Sequence, residues 1–303
     1  MPKLIILSHD KDEYQRLIEA ANLPDLKFVT DPSQADIVIG EPKAIRDALP
    51  LLSQPKWIQA IYAGVEPLVD PAQRRDYVLT NARGVFGELM SEYVFGYMLF
   101  LEKKILERIQ SQEAREWQRS ESGVLRGKTI GLLGVGSIGA HLAGTAKHFG
   151  MNVKGFTRES ETSTQVDRYY HGNDLLKFAD GLDYLVSVLP RTKGTNKIID
   201  AALLRALPGH AVFVNVGRGN SVDESALLKA LNDGKLAAAV LDVFDREPLP
   251  VDHPFWNTPN LYMTFHTSAI SYPEDITRLF VENYHLYLKG QPLKYVVDFE
   301  RGY

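Results

Sequence analysis

Lys128-Thr-Ile-Gly-Leu-Leu-Gly134-Val-Gly136-Ser-Ile-Gly139-Ala-His-Leu-Ala143 places a Gly-x-Gly-x-x-Gly pattern behind a short apolar run and ahead of a helical stretch. Strand, tight turn and helix in that order make the glycines informative, because each has a separate physical task. Gly134 permits the turn, Gly136 lets the backbone approach a pyrophosphate, and Gly139 lets the helix pack closely on the sheet. Phosphate groups would meet the free N–H groups and positive dipole end of that helix. The stretch therefore predicts a dinucleotide-binding turn of the Rossmann type. An Asp or Glu about 20 residues on usually takes a free ribose 2′-hydroxyl. Here the next strand, Asn152-Val-Lys-Gly-Phe156, ends in Thr157-Arg158. A guanidinium at that place suits a 2′-phosphate, so NADP is expected as the preferred cofactor, with NAD admitted as a second. The competing reading makes Arg158 a surface charge and gives the ribose to Glu159.

Around this turn, apolar runs recur between amphipathic stretches. Upstream, residues 3–8, 36–40, 57–61 and 77–80 read as buried strands, with a helix over 12–21. Downstream, strands are expected at 129–133, 152–156, 184–189, 211–216, 236–241 and 261–263. Alternation of strand and helix predicts an α/β fold with two doubly wound parallel sheets. A long helix is expected from Gly87 toward Gln110, bridging the two domains, and the last helix, near 273–289, is expected to return to the first lobe. The resulting expectation is a discontinuous substrate domain, 1–95 with 275–303, and a dinucleotide-binding domain, 96–274. A length of 303 residues agrees with about two domains.

Composition narrows the function classes. The chain is 45% hydrophobic and 24% charged, with a formal charge of −4. No broad basic surface is implied, so nucleic acid is not an expected partner. No window approaches the ~18 apolar residues of a membrane span, and the opening residues turn charged at His9 and Asp10, too soon for a secretory signal. A cytoplasmic location is the default expectation. There is no cysteine, which removes disulfides, thiolate catalysis and Cys-ligated metal; no metal is expected. No internal repeat or low-complexity tract is present.

Three further segments each follow an expected strand of the second sheet: Asn215-Val-Gly-Arg218-Gly219, Leu241-Asp242-Val-Phe-Asp-Arg-Glu247-Pro248 and Thr264-Phe265-His266-Thr-Ser-Ala269. In open parallel sheets the carboxyl ends of the strands face the ligand crevice, so all three point to one place. With the Ala63-Gly64-Val65 turn, the Gly87-Glu-Leu-Met-Ser-Glu-Tyr93 helix start and Leu189-Pro190, they resemble the D-isomer-specific 2-hydroxyacid dehydrogenases over nearly the whole chain. Thr157-Arg158 and the ending Arg301-Gly-Tyr303 look most like the glyoxylate/hydroxypyruvate reductase branch, which prefers NADPH.

The resemblance implies a flavodoxin-like substrate domain beside the Rossmann domain and a hydride transfer from NAD(P)H to a small 2-oxo acid. It makes Arg218 the clamp on the substrate carboxylate, His266 the acid that protonates the developing alkoxide, and Glu247 the partner that holds the imidazolium. Backbone contacts to the substrate carboxylate fall on Ala63, Gly64 and Val65. Cofactor contacts fall on the glycine turn with Ser137 and Ile138, on Thr157 and Arg158, on Leu189 and Pro190, and on Val216, Gly217 and Asp242, the last reaching the nicotinamide amide. The family usually has Pro before this His, where this chain has Phe265. A homodimer through the helix from Gly87 is also implied. His253, in a Pro-flanked loop, reads as structural, and Trp117 reads as packing between domains or subunits. The competing functions are a 3-phosphoglycerate dehydrogenase-like activity, a dinucleotide-sensing regulator and another Rossmann enzyme such as a methyltransferase or hydrolase; the Arg, Glu and His set weighs against the last two.

Overall fold

The computed structural model describes residues 1–119 and 121–302; Tyr303, part of the ending quoted above, lies outside the described residues. The chain divides into two compact units, one formed by Met1–Val85 and Ser271–Tyr303 and the other by Phe86–Ile270.

In the first unit, β1 (Lys3–Leu7), α1 (Lys11–Ala20), β2 (Lys27–Phe28), β3 (Ile37–Gly40), α2 (Pro42–Ala48), β4 (Trp57–Ala60), α3 (Glu66–Val69) and β5 (Val78–Thr80) follow one another. The strands pair in parallel in the order β2-β1-β3-β4-β5, which is the flavodoxin-like winding. Ile37, Val38 and Ile39 are successive residues without exposed surface, as a strand covered by helices on both faces requires.

The second unit runs through α4 (Gly87–Glu102), α5 (Ile105–Glu113), β6 (Thr129–Leu133), α6 (Ser137–His148), β7 (Asn152–Phe156), β8 (Arg168–Tyr170), α7 (Leu175–Ala179), β9 (Tyr184–Ser187), α8 (Ala201–Ala206), β10 (Val212–Asn215), α9 (Glu224–Asn232), β11 (Ala238–Leu241) and β12 (Leu261–Met263). Its sheet order is β12-β11-β10-β9-β6-β7-β8, parallel throughout. Winding proceeds outward from β6 to β8 and then reverses at β9, so the topological switch lies between β6 and β9. One face buries Phe178, Leu185 and Phe213, and the other buries Met98, Leu142 and Val186. The final helix, α10 (Pro273–Leu288), belongs to the first unit, where Phe280 stacks on Trp57 with centroids 4.9 Å apart.

Several expectations are corrected. The long helix does not run unbroken to Gln110. Lys104 adopts a left-handed conformation, φ 49°, and separates α4 from α5. Polar anchors hold the break: Arg108 Nε donates to the Lys103 carbonyl at 2.8 Å, and Lys103 Nζ donates to the Gly123 carbonyl at 2.8 Å. The boundary placed at 95/96 falls inside α4, all of which lies in the second unit, and that at 274/275 falls inside α10. The edge strands β2 and β8 were not expected; they are only 2 and 3 residues long and carry Lys27 and Arg168 in place of an apolar run.

Candidate active site

The turn from β6 into α6 is shaped as its glycines require. Gly134 has φ +94°, and a Cβ on Gly139 would stand 2.2 Å from the Gly134 carbonyl oxygen, so both positions need glycine for the helix to start so close to the strand. Gly136 precedes α6 without a side-chain cap, and open space surrounds its Cα. The N–H groups of Ser137, Ile138 and Gly139 are the unpaired donors of the first helical turn. At the adjoining strand ends, a Cβ on Gly217 would lie 2.6 Å from the Leu189 nitrogen, so Leu189–Pro190 and Val216–Gly217 form one continuous rim. Val216 N–H is fixed to the Ser187 carbonyl at 3.1 Å.

At the end of β7, Thr157 is buried while Arg158 is exposed. Thr157 N–H donates to the Tyr170 carbonyl at 3.1 Å, and its hydroxyl donates to the Ser160 carbonyl at 2.7 Å. Among the described residues Arg158 has no hydrogen bond or ion pair. A helix N-terminus with free donors, glycines where a side chain would intrude and an unpaired guanidinium one strand over together fit a phosphorylated dinucleotide.

The second part of the site is assembled at the ends of β10, β11 and β12. After β10, Asn215 Oδ1 accepts from Gly217 N–H at 3.1 Å and its Nδ2 donates to the Arg218 carbonyl at 3.2 Å. Arg218 Nη1 donates to the Gly217 carbonyl at 2.8 Å. Gly219 admits no side chain, because a Cβ there would stand 1.8 Å from the Phe244 carbonyl carbon. This close approach brings the segment after β11 against Arg218–Gly219. Glu247 Oε1 accepts from the Phe244 N–H at 2.9 Å, and Oε2 meets His266 Nδ1 at 2.8 Å.

A carboxylate can only accept, so Nδ1 carries the proton in that pair. Nε2 has no partner among the described residues and is the atom left for chemistry. The hydrogen bond that His266 donates to Glu247 raises the His266 pKa above its usual value, against the opposing effects of burial and of the Arg218 charge. Burial alone would raise Glu247, but the hydrogen bonds from His266 and Phe244 bring it below the ordinary carboxylate value. Both shifts favour the charged pair.

Asp242 has a structural part that sequence reasoning missed. It has no exposed surface. Oδ1 accepts from the Thr264 hydroxyl at 2.5 Å and from Thr267 N–H at 2.8 Å, and Oδ2 from Ser268 N–H at 3.1 Å. Its carbonyl accepts from His266 N–H at 2.7 Å. Since Thr264 donates to Asp242, Tyr93 of α4 is the donor in its 2.6 Å contact with Thr264. These bonds hold His266 at φ 58°. Capacity for one further donor remains on Oδ2. Phe265 points outward, 62% exposed, with its ring 5.8 Å from that of Trp256.

In the first unit, the Ala63–Val65 turn follows β4, and Asn81 Nδ2 holds the Ala63 carbonyl at 2.7 Å. The N–H groups of Gly64 and Val65 have no acceptor among the described residues. His253 is braced by Phe255, whose N–H reaches its Nδ1 at 3.3 Å, and by Glu224, in keeping with a structural part. Trp117 is 91% exposed, with no ring contact or hydrogen bond of its side chain among the described residues. No group of three or more potential metal ligands occurs among the described residues, and none of their helices is long and apolar enough to cross a membrane.

Fold and site together define a nicotinamide-dependent oxidoreductase, and the comparisons agree. The pattern of the family described as D-isomer specific 2-hydroxyacid dehydrogenase, NAD binding domain, matches residues 95–268. Glyoxylate/hydroxypyruvate reductase A of Serratia proteamaculans is 33% identical over 257 residues, 82% of either chain. A D-isomer specific 2-hydroxyacid dehydrogenase family protein from Aeromonas salmonicida superposes with TM-score 0.93 at 43% identity, over 98% of this chain and 99% of the other. The NADPH-dependent glyoxylate/hydroxypyruvate reductase of Sinorhizobium meliloti, solved with NADP and sulfate, gives 0.89 at 27% identity over the full length of both. The chain belongs to the D-isomer-specific 2-hydroxyacid dehydrogenases, in their glyoxylate/hydroxypyruvate reductase branch.

Proposed function

We propose that the protein reduces small, unphosphorylated 2-oxo acids of the glyoxylate or hydroxypyruvate kind to D-2-hydroxy acids, with NADPH preferred over NADH. The observation that carries the reading is the His266–Glu247 pair, 2.8 Å apart with Nε2 of the imidazole open, beside Arg218 at the carboxyl ends of the strands. The nicotinamide supplies the hydride when bound. His266 delivers a proton from Nε2 to the oxygen on which negative charge grows, a contribution of about 10²–10⁴-fold for a positioned acid. Glu247 holds the imidazole by Nδ1 and favours its charged form. Arg218 clamps the substrate carboxylate through its planar fork and draws charge toward the carbonyl oxygen.

NADPH is favoured by the unpaired Arg158, which with Thr157 directly follows β7 ahead of Glu159; relatives solved with NADP or NADPH support the same choice. A panel of glyoxylate, hydroxypyruvate, pyruvate, phenylpyruvate and 3-phosphohydroxypyruvate, assayed with each cofactor, tests the reading. Higher kcat/KM for the first two with NADPH is the expected result. A clear preference for the phosphorylated acid would refute the substrate assignment. Arg158→Ala is expected to weaken NADPH more than NADH.

A further inference from the structure

β8 and the segment after it hold a charged group that the catalytic reading does not use. His171, directly after β8, faces the Thr157–Glu161 segment that carries Arg158. Its Nδ1 lies 3.1 Å from the Thr157 carbonyl and 3.2 Å from the Thr157 hydroxyl, and its Nε2 lies 2.8 Å from Glu161 Oε1. The carbonyl can only accept, and the hydroxyl has already given its proton to the Ser160 carbonyl. Nδ1 must therefore donate. The Glu161 carboxylate is likewise only an acceptor, so Nε2 must donate as well. An imidazole with two donors is an imidazolium. The same hydrogen bonds, to Glu161 and to the Thr157 carbonyl, raise the pKa of His171 above its usual value.

The surroundings give this cation a direction. Tyr169 stacks its ring parallel to the imidazole at 6.4 Å and, through its hydroxyl, accepts from Ser163 N–H at 3.0 Å and donates to the Ser163 carbonyl at 3.1 Å. Both side chains thus pin the loop that follows β7. The other charges facing His171 are Glu161 from the loop and Asp174 from the turn after β8, with Arg158 adjoining Thr157. Glu161, more than half exposed, has no other ion-pair partner among the described residues. A phosphate dianion arriving at Arg158 is a stronger acceptor for the same N–H than this solvated carboxylate.

We propose that His171 is the second cationic recognition group for the cofactor 2′-phosphate, with Glu161 holding its outer N–H until NADPH binds. The inference rests on the NADPH reading and adds to it a residue outside the strand end where cofactor choice is normally read. It makes cofactor discrimination depend on pH. The phosphate monoester keeps its second charge above its pKa of about 6, so as pH rises through the raised His171 value the loss of its charge falls on NADPH and spares NADH. Groups near the nicotinamide act on both cofactors and cancel in the ratio.

The test is equilibrium binding of NADPH and NADH to the free protein, followed by nucleotide fluorescence, in wild type, His171→Gln, His171→Lys and Arg158→Ala. The wild-type ratio of NADH to NADPH dissociation constants is expected to fall from pH 7 to pH 9. His171→Gln is expected to lower the ratio at pH 7 by about tenfold, the scale of one charge-assisted contact, to flatten its pH dependence, and to leave NADH within twofold. His171→Lys, which keeps the charge without the loop contacts, is expected to retain much of the preference and to lose its pH dependence. Equal weakening of both cofactors by His171→Gln would assign the residue a structural part only and overturn the proposal, as would an unchanged ratio. A wild type that prefers NADH, or an Arg158→Ala variant without effect, would overturn the cofactor reading itself.

Discussion

His266 owes its proton to Glu247, and the sign of that coupling can be measured. The histidine pKa is raised by the carboxylate, so the proposed acid stays protonated above the unperturbed value of about 6.5 and loses its charge as pH rises through the folded-state pKa. Reduction is expected to decline along that limb, and Glu247→Gln to move the decline to lower pH, read from kcat/KM against pH. His266→Gln is expected to lower kcat by about 10²–10⁴-fold while NADPH binding holds within a few-fold; turnover close to wild type would remove the histidine from the mechanism. Arg218→Lys is expected to fail chiefly through the substrate, since an ammonium cannot reproduce a bidentate fork. These residues were legible in the sequence because each follows a strand in a fixed order. His171 was not, because its significance depends on hydrogen bonds to a loop ten or more positions away in sequence, and nothing in its local pattern marks it.

At the level of elements, the segment from β12 into the 264–268 loop is held less by its own sequence than by two neighbours. Asp242 at the end of β11 receives three hydrogen bonds from it, and Tyr93 of α4 secures Thr264. Thr264→Val keeps the shape and removes both hydroxyl contacts. It is expected to lower kcat by about tenfold, the cost of slight misplacement of a catalytic group, with the dissociation constant of NADPH within twofold; equal losses in both would point to general disruption. The same elements show what periodicity reveals. Strand β6 was read with its observed limits because burial on both faces leaves an almost unbroken apolar run, and β7 because Asn152, Lys154 and Phe156 alternate with the buried Val153 and Gly155. The break between α4 and α5 escaped, since Lys103 and Lys104 suit a helix by propensity, while the contacts of Lys103 with Arg108 and Gly123 are made only in the fold. Strand β8 escaped for a related reason: as an edge strand it pairs on one side only and carries Arg168 beside its tyrosines.

For the whole molecule, the second unit leaves Ile105, Leu106 and Ile109 exposed on α5, with Trp117 beyond it. Apolar surface of this kind commonly marks a contact between chains, and a homodimer is expected in sedimentation at micromolar concentration; a monomer throughout would refute it. One backbone angle has an effect that reaches the entire chain. A histidine at φ 58° sits where asparagine is more at ease, a strain of about 1 kcal/mol for most side chains. Its link to Glu247 offsets this most while the imidazole is charged: the ionic part of that contribution is complete below the unfolded-state pKa and is lost as pH rises through the raised folded-state value, while the Nδ1–H hydrogen bond to Glu247 remains. Above that value His266→Asn is therefore expected to resist urea at least as well as the wild type, while lacking the proposed proton donor. The wild type would then be no more durable than a variant without the proposed proton donor, and selection for resistance to unfolding alone would not preserve the histidine.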